Sequence, residues 1–184
     1  SKRILLVDTY YPEFVRKLYA QHPDLQTASY QEQLSACLNQ RFGTSDYYSR
    51  HLSALDYEVK DIIADNTTLQ LQWAQEHNLR VTTWPSLPYL HKLTDRLPLY
   101  KILKAQIAAF KPDILYMQNI SFCDPLTLRS LKKRVKLLVG QIASTLPPTP
   151  FLTHYDLILT SFPHFVPRIR ALGPASEYFK IGFD

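Results

Sequence analysis

The sequence predicts an α/β domain: a doubly wound, mostly parallel sheet of about six or seven strands with helices on both faces. Three observations lead there. Short apolar runs such as Ile4-Leu5-Leu6-Val7 and Ile114-Leu115-Tyr116-Met117 have the length and continuity of strands buried on both faces. Between such runs lie stretches whose apolar residues recur at helical spacing. The two kinds alternate through most of the 184 residues, as they do where parallel strands are joined by crossover helices.

Arg3 to Asp8 is the first strand, an apolar run closed at each end by a polar residue. Ser29-x-x-Glu32 fits a capping box and opens a helix carrying Leu34, Leu38 and Phe42, with Gly43 as its stop. A second helix begins near Ser45, with Tyr48, Leu52 and Leu55 on one face. Tyr57 to Ala64 reads as the second strand, Asn66 to His77 as a helix, and Arg80 to Thr83 as a weak third strand. Residues 84 to 96, with Pro85 and Pro88, form a loop. Leu99, Ile102, Leu103, Ile107 and Phe110 share one face of a helix that Pro112 ends. After the strand Ile114 to Met117, Asp124-Pro125 supplies an N-cap and a proline at the first helical position. Val135 to Val139 is a strand, Leu146 to Pro150 a Pro-rich loop, and Tyr155 to Thr160 another strand. A helix ends at Leu172-Gly173, and Tyr178 to Ile181 closes as a short strand. No repeat, low-complexity segment or linker divides the chain, which reads as a single domain over 1–184.

Composition narrows the function classes. Hydrophobic residues make up 46%, so the chain is globular. The formal charge of +5 permits an anionic partner without demanding one. With that modest charge and no recognition motif, nucleic acid is not an expected partner. No apolar run approaches bilayer length and no signal-peptide pattern precedes the first strand, so the expected location is the cytoplasm. The basic run Arg129, Lys132, Lys133, Arg134 and Lys136 reads first as a solvated helix C-terminus complementing the dipole. Its functional alternative is peripheral contact with an anionic membrane or a phosphorylated acceptor. Cys37 and Cys123 stand far apart and read as reduced, buried thiols; the six histidines show no metal-ligand spacing.

In a doubly wound sheet, ligands bind beyond the carboxyl ends of the strands. Asp8-Thr9-Tyr10, Gln118-Asn119, Gln141 to Ser144 and Ser161-Phe162 stand at such ends and predict a polar rim. The first turn, Asp8-Thr-Tyr-Tyr-Pro-Glu13, contains no glycine, and no Walker sequence exists. The close backbone approach that a pyrophosphate needs is therefore missing, and no cofactor is expected in this domain. Asp8 fits a general base, or a turn-former and helix cap. The amides of Gln118 and Asn119 suit sugar hydroxyls, or satisfy neighbouring backbone; Gln141 and Ser144 carry the same two readings. His154 and His164 flank the strand from Tyr155, each a base or a structural residue. Tyr10, Tyr11, Tyr47, Tyr48, Trp84 and Tyr89 offer rings for a sugar, or belong to the core and its edge.

The segments KRILLVDTYYPEF, FKPDILYMQN, KLLVGQIAS, YDLILTSFPHFVPRIRALG and EYFKIGFD, in that order, resemble the amino-terminal half of bacterial GT-B-type glycosyltransferases, CgeB-like or glycosyltransferase-family-4-like. The resemblance covers nearly the whole chain. Two positions depart from it: Asp56 stands where a Gly often precedes the second strand, and Pro174-Ala175 replaces a small apolar residue followed by Pro. The likeness implies a Rossmann-like domain that receives a hydroxyl acceptor across a cleft from a missing carboxy-terminal domain, which holds most of the nucleotide-sugar donor. It implies that this half alone is inactive. It also implies acceptor contacts through Thr9, Tyr10, Gln118, Asn119, Gln141, Ser144 and Ser161, with Asp8 as first and His164 as second candidate for the base of an inverting transfer. Two rivals share the expected sheet: a stand-alone flavodoxin-like or receiver-like regulatory domain, with Asp8 as phosphoacceptor, and a protein-interaction module.

Overall fold

The computed structural model describes residues 1–82 and 95–180. Trp84, Tyr89, Ile181 and most of the expected loop lie outside them. Six strands form one parallel sheet: β1 (Arg3–Asp8), β2 (Glu58–Ile63), β3 (Ile114–Met117), β4 (Leu137–Ile142), β5 (Leu157–Thr160) and β6 (Ala175–Tyr178), in the order β2-β1-β3-β4-β5-β6. The order reverses direction between β1 and β3, the switch point of a doubly wound sheet. Seven α-helices accompany the described strands: α1 (Pro12–Gln21), α2 (Tyr30–Asn39), α3 (Tyr47–Ser53), α4 (Thr67–Glu76), α5 (Arg96–Phe110), α6 (Pro125–Lys132) and α7 (Phe165–Arg170).

Local chemistry explains most boundaries. Ser29 and Glu32 close a complete capping box at α2, each satisfying the other's backbone N–H. Asp124 accepts from the Thr127 N–H at 2.9 Å and so caps α6, with Pro125 at the first helical position. The predicted face of α5, from Leu99 to Phe110, is buried throughout. Gly is scarce, and other residues take the left-handed conformation after helices: Arg41, Asp56, Asn78 and Lys111 have φ between +52° and +62°. Asp56 thus adopts the backbone shape for which a glycine is favoured.

Several boundaries differ from the sequence reading. α2 stops at Asn39, ahead of Gly43, because the chain already turns left-handed at Arg41. α3 ends before Leu55, which is exposed. Arg80 to Thr82 form no strand; Thr83 is not among the described residues. β4 starts at Leu137, later than Val135, because pairing with β3 begins with Ile114 opposite Leu137. β6 begins at Ala175, earlier than Tyr178, because its ladder with β5 aligns Leu157 with Ala175.

The chain packs as two compact units. The first comprises residues 1–7, 49–61 and 110–184. Its interior combines strand side chains, Leu5, Leu6, Leu115, Met117, Leu138 and Ile158, with the helical Leu128, Leu131 and Ile169, all almost wholly buried. There the Arg3 guanidinium and the Lys60 ammonium both lie 5.0 Å from the Phe110 ring. The second unit comprises residues 8–48 and 62–109. Leu18, Leu34, Cys37, Ile63 and Leu69 form its principal core, with the Phe14 and Phe42 rings stacked 4.3 Å apart beside it. A buried polar chain crosses that core. Tyr19 donates to Gln33 at 2.6 Å, and the Asn66 amide donates to the Tyr19 hydroxyl and to Cys37 Sγ. Burial pushes the Cys37 thiol up to about 11, so it is an inert thiol rather than a thiolate.

Candidate functional site: two carboxylates at neighbouring strand ends

Asp8 is the last residue of β1, and Asp65 follows β2 by two positions. The strands are neighbours, and the Ala64 N–H donates to the Asp8 carbonyl at 2.9 Å, so the two acids leave the sheet at the same level. Both belong to the second unit. Each carboxylate is held by a backbone N–H of the turn after β1. Thr9 N–H donates to Asp8 Oδ1 at 2.8 Å, and Tyr10 N–H donates to Asp65 Oδ1 at 2.9 Å. The Thr44 side chain also hydrogen-bonds Asp8. Gly43, left-handed at φ +61°, brings the backbone close: a Cβ there would lie 4.0 Å from Asp8 Oδ2.

The electrostatics follow from burial. Desolvation raises the Asp8 carboxyl above its ordinary value, against the opposing bonds from Thr9 and Thr44. Asp65 is pushed up to about 6, first by burial and further by the negative charge of Asp8, while the Tyr10 N–H and Arg96 oppose the shift. Tyr10 is buried, with its ring edge-on to Phe14 at 5.4 Å and to Phe42 at 5.3 Å. Of the three predicted residues in this turn, Thr9 serves Asp8 and Tyr10 serves Asp65, each through its backbone N–H. Tyr11 is exposed and reaches Phe42 at 5.7 Å.

Gln118, Asn119, Gln141, Ser144, Ser161 and the two histidines belong to the first unit. Gln118 donates its backbone N–H to the Val7 carbonyl at 2.9 Å, extending the β1–β3 ladder. Asn119 is exposed, and its Oδ1 accepts from the Ser121 N–H at 3.0 Å, an Asx turn. This turn is anchored by Ile120, which packs over Gly140 of β4, while Tyr155 donates to the Ile120 carbonyl at 3.1 Å. Gln141 lies inside β4, one residue before its end, and accepts a hydrogen bond from the Tyr116 hydroxyl. Ser144 is exposed in the bend after β4, and Ser161 is half-buried after β5. His164 is exposed and rests its ring against Phe165 at 4.6 Å. His154 is half-buried between the 3₁₀ turn Thr149–Phe151 and β5.

Asp65 is absent from the sequence-level candidates. The signal for it was an acidic residue directly after the second predicted strand, much as Asp8 is the acid that closes the first. Among the described residues no group of three or more His, Cys, Asp or Glu could hold a metal ion. No described helix is long and apolar enough to cross a membrane. Comparison of the chain with family models, curated proteins and solved structures returned no match.

Proposed function

We propose that this chain is the acceptor-binding half of a glycosyltransferase that moves a sugar from a nucleotide-sugar donor to a hydroxyl acceptor, with Asp8 as general base. The observation that carries this reading is the pair Asp8–Asp65. Two partly desolvated carboxyls stand at adjacent strand ends, each oriented by a backbone N–H. A carboxylate with a raised pKa is a stronger proton acceptor than one in water, which suits it to a poorly acidic hydroxyl. In an inverting transfer, Asp8 takes the hydroxyl proton as the acceptor oxygen bonds to the anomeric carbon. The bond from that carbon to the donor phosphate breaks, and the nucleoside diphosphate leaves with the electron pair. Asp65 holds the turn through the Tyr10 N–H, and its own proton affinity is raised by burial and by the charge of Asp8. The turn Asp8–Glu13 carries no glycine, so grip on the diphosphate is assigned to a second domain of the same enzyme.

The test is made in the complete transferase. Asp8→Asn is expected to lower kcat by about 10²- to 10⁴-fold, the range of a lost general base, with donor KM unchanged. Asn119→Ala tests the amides separately and is expected to raise acceptor KM. Wild-type turnover by Asp8→Asn removes the assignment.

One observation favours a second reading. The order β2-β1-β3-β4-β5 is that of flavodoxin-like domains, among them phosphorylatable regulators. Incubation with acetyl phosphate separates the two: a phosphoryl adduct on Asp8, seen by intact mass and lost in Asp8→Asn, favours the regulator.

A further inference from the structure

The excess charge of this protein belongs to one of its units. Residues 1–7, 49–61 and 110–184 contain thirteen Lys and Arg against eight Asp and Glu, while the other unit has eight of each, so the whole +5 falls on the first. Within it, cations crowd the amino-terminal ends of the strands and the α6–β4 connection. The acids there are already engaged. Asp113 accepts from Lys136 at 2.7 Å and from the Arg3 backbone N–H at 2.9 Å, Asp156 pairs with Lys132, and Glu58 pairs with Arg3 at 2.9 Å. Lys133 and Arg134 are exposed on the connection itself.

The outer face of α6 adds a second, independent feature. Leu126 and Arg129, with Lys133 at the cap just past the helix end, recur at three- and four-residue spacing and are all exposed, Leu126 at 77%. The opposite face, Leu128 and Leu131, is completely buried. The exposed leucine therefore belongs to no interior and shares its stripe with cations only.

We propose that this face of α6, continued by Arg134, is a docking surface for an anionic phospholipid bilayer. Leu126 enters the acyl boundary, and Arg129, Lys133 and Arg134 lie among the headgroup phosphates. A bilayer is favoured over nucleic acid because it satisfies both halves of the stripe. Hydrocarbon lies directly beneath the anionic layer, whereas a nucleic-acid groove leaves the leucine in water, and this stripe presents no aromatic ring for base stacking.

The experiment is vesicle flotation of the full chain with phosphatidylcholine alone, and with phosphatidylserine added, at low and high salt. Binding is expected only on the anionic vesicles and is lost at high salt. Each cation at such a surface is worth about fivefold in partitioning, so Arg129→Ala/Lys133→Ala/Arg134→Ala together lose about a hundredfold. Leu126→Ser is expected to lose about tenfold on vesicles while leaving binding to heparin, a soluble polyanion, unchanged. All four side chains are exposed, so unchanged thermal melting shows that the variants are folded. No binding at low salt, equal binding to neutral vesicles, or vesicle binding indifferent to Leu126→Ser overturns the proposal. So does tighter binding of an oligonucleotide than of vesicles.

Discussion

Asp65→Asn tests the physical origin of the candidate site. Folding raises the Asp65 carboxyl from 3.8 to about 6, chiefly by burial. One pKa unit corresponds to about 1.4 kcal/mol, so keeping Asp65 ionised costs the folded state roughly 2–3 kcal/mol at neutral pH. The folded protein binds this proton more tightly than the unfolded chain does. Below the unfolded value the carboxyl is protonated in both states and the cost is zero; as pH rises through about 6 the cost becomes complete. Asparagine has nearly the same shape, keeps an oxygen for the Tyr10 N–H, and carries no charge. The variant should therefore be more stable than the wild type at pH 7 by roughly 2–3 kcal/mol, with the gap closing toward pH 4. Urea unfolding of both proteins across this pH range measures it, with equal m-values showing that the same surface is exposed. A variant no more stable at pH 7, or a gap that does not narrow on acidification, refutes the reasoning.

Two further outcomes follow from packing. At Gly140 a Cβ would lie 2.6 Å from Ile120 Cγ2 and 2.9 Å from Tyr155 Cε1, well inside ordinary carbon contact. Gly140→Ala is thus expected to cost about 1–3 kcal/mol in urea unfolding, and Ile120→Ala in the same chain should recover part of that loss by removing the struck methyl; additive losses would show that the clash is not the cause. Gln106 is 4% exposed, and neither its Nε2 nor its Oε1 has a hydrogen-bond partner among the described residues. Gln106→Met, similar in shape and without the stranded amide, should raise stability by about 1–3 kcal/mol, checked by the urea midpoint; a loss would mean the amide is satisfied in solution.

Legibility in the sequence followed the range of the forces involved. β1, β3, the capping box at Ser29 and the cap at Asp124 were readable because a buried run or a cap is encoded within four or five neighbouring residues. β4 and β6 were misplaced by two or three residues because their ends are set by the partner strand's register. The shift also moved Gln141 from a loop into the ladder, beside Tyr116. Asp8 could be singled out from its position at a strand end. Asp65 carried the same kind of signal, an acid beside a strand end, but its pairing with that site comes from β2 lying next to β1 and from the Tyr10 N–H bonding it.

By itself, the sequence determined that this is a parallel α/β chain, that its first turn lacks a glycine cradle, and that its net charge is mildly positive. It took the fold to set Asp8 and Asp65 at adjacent strand ends, to lift both carboxyls by burial, and to gather the surplus cations on one unit. The physical reason is that hydrogen bonding between strands and removal of water are properties of residues brought together, and no local pattern records which distant residues those are.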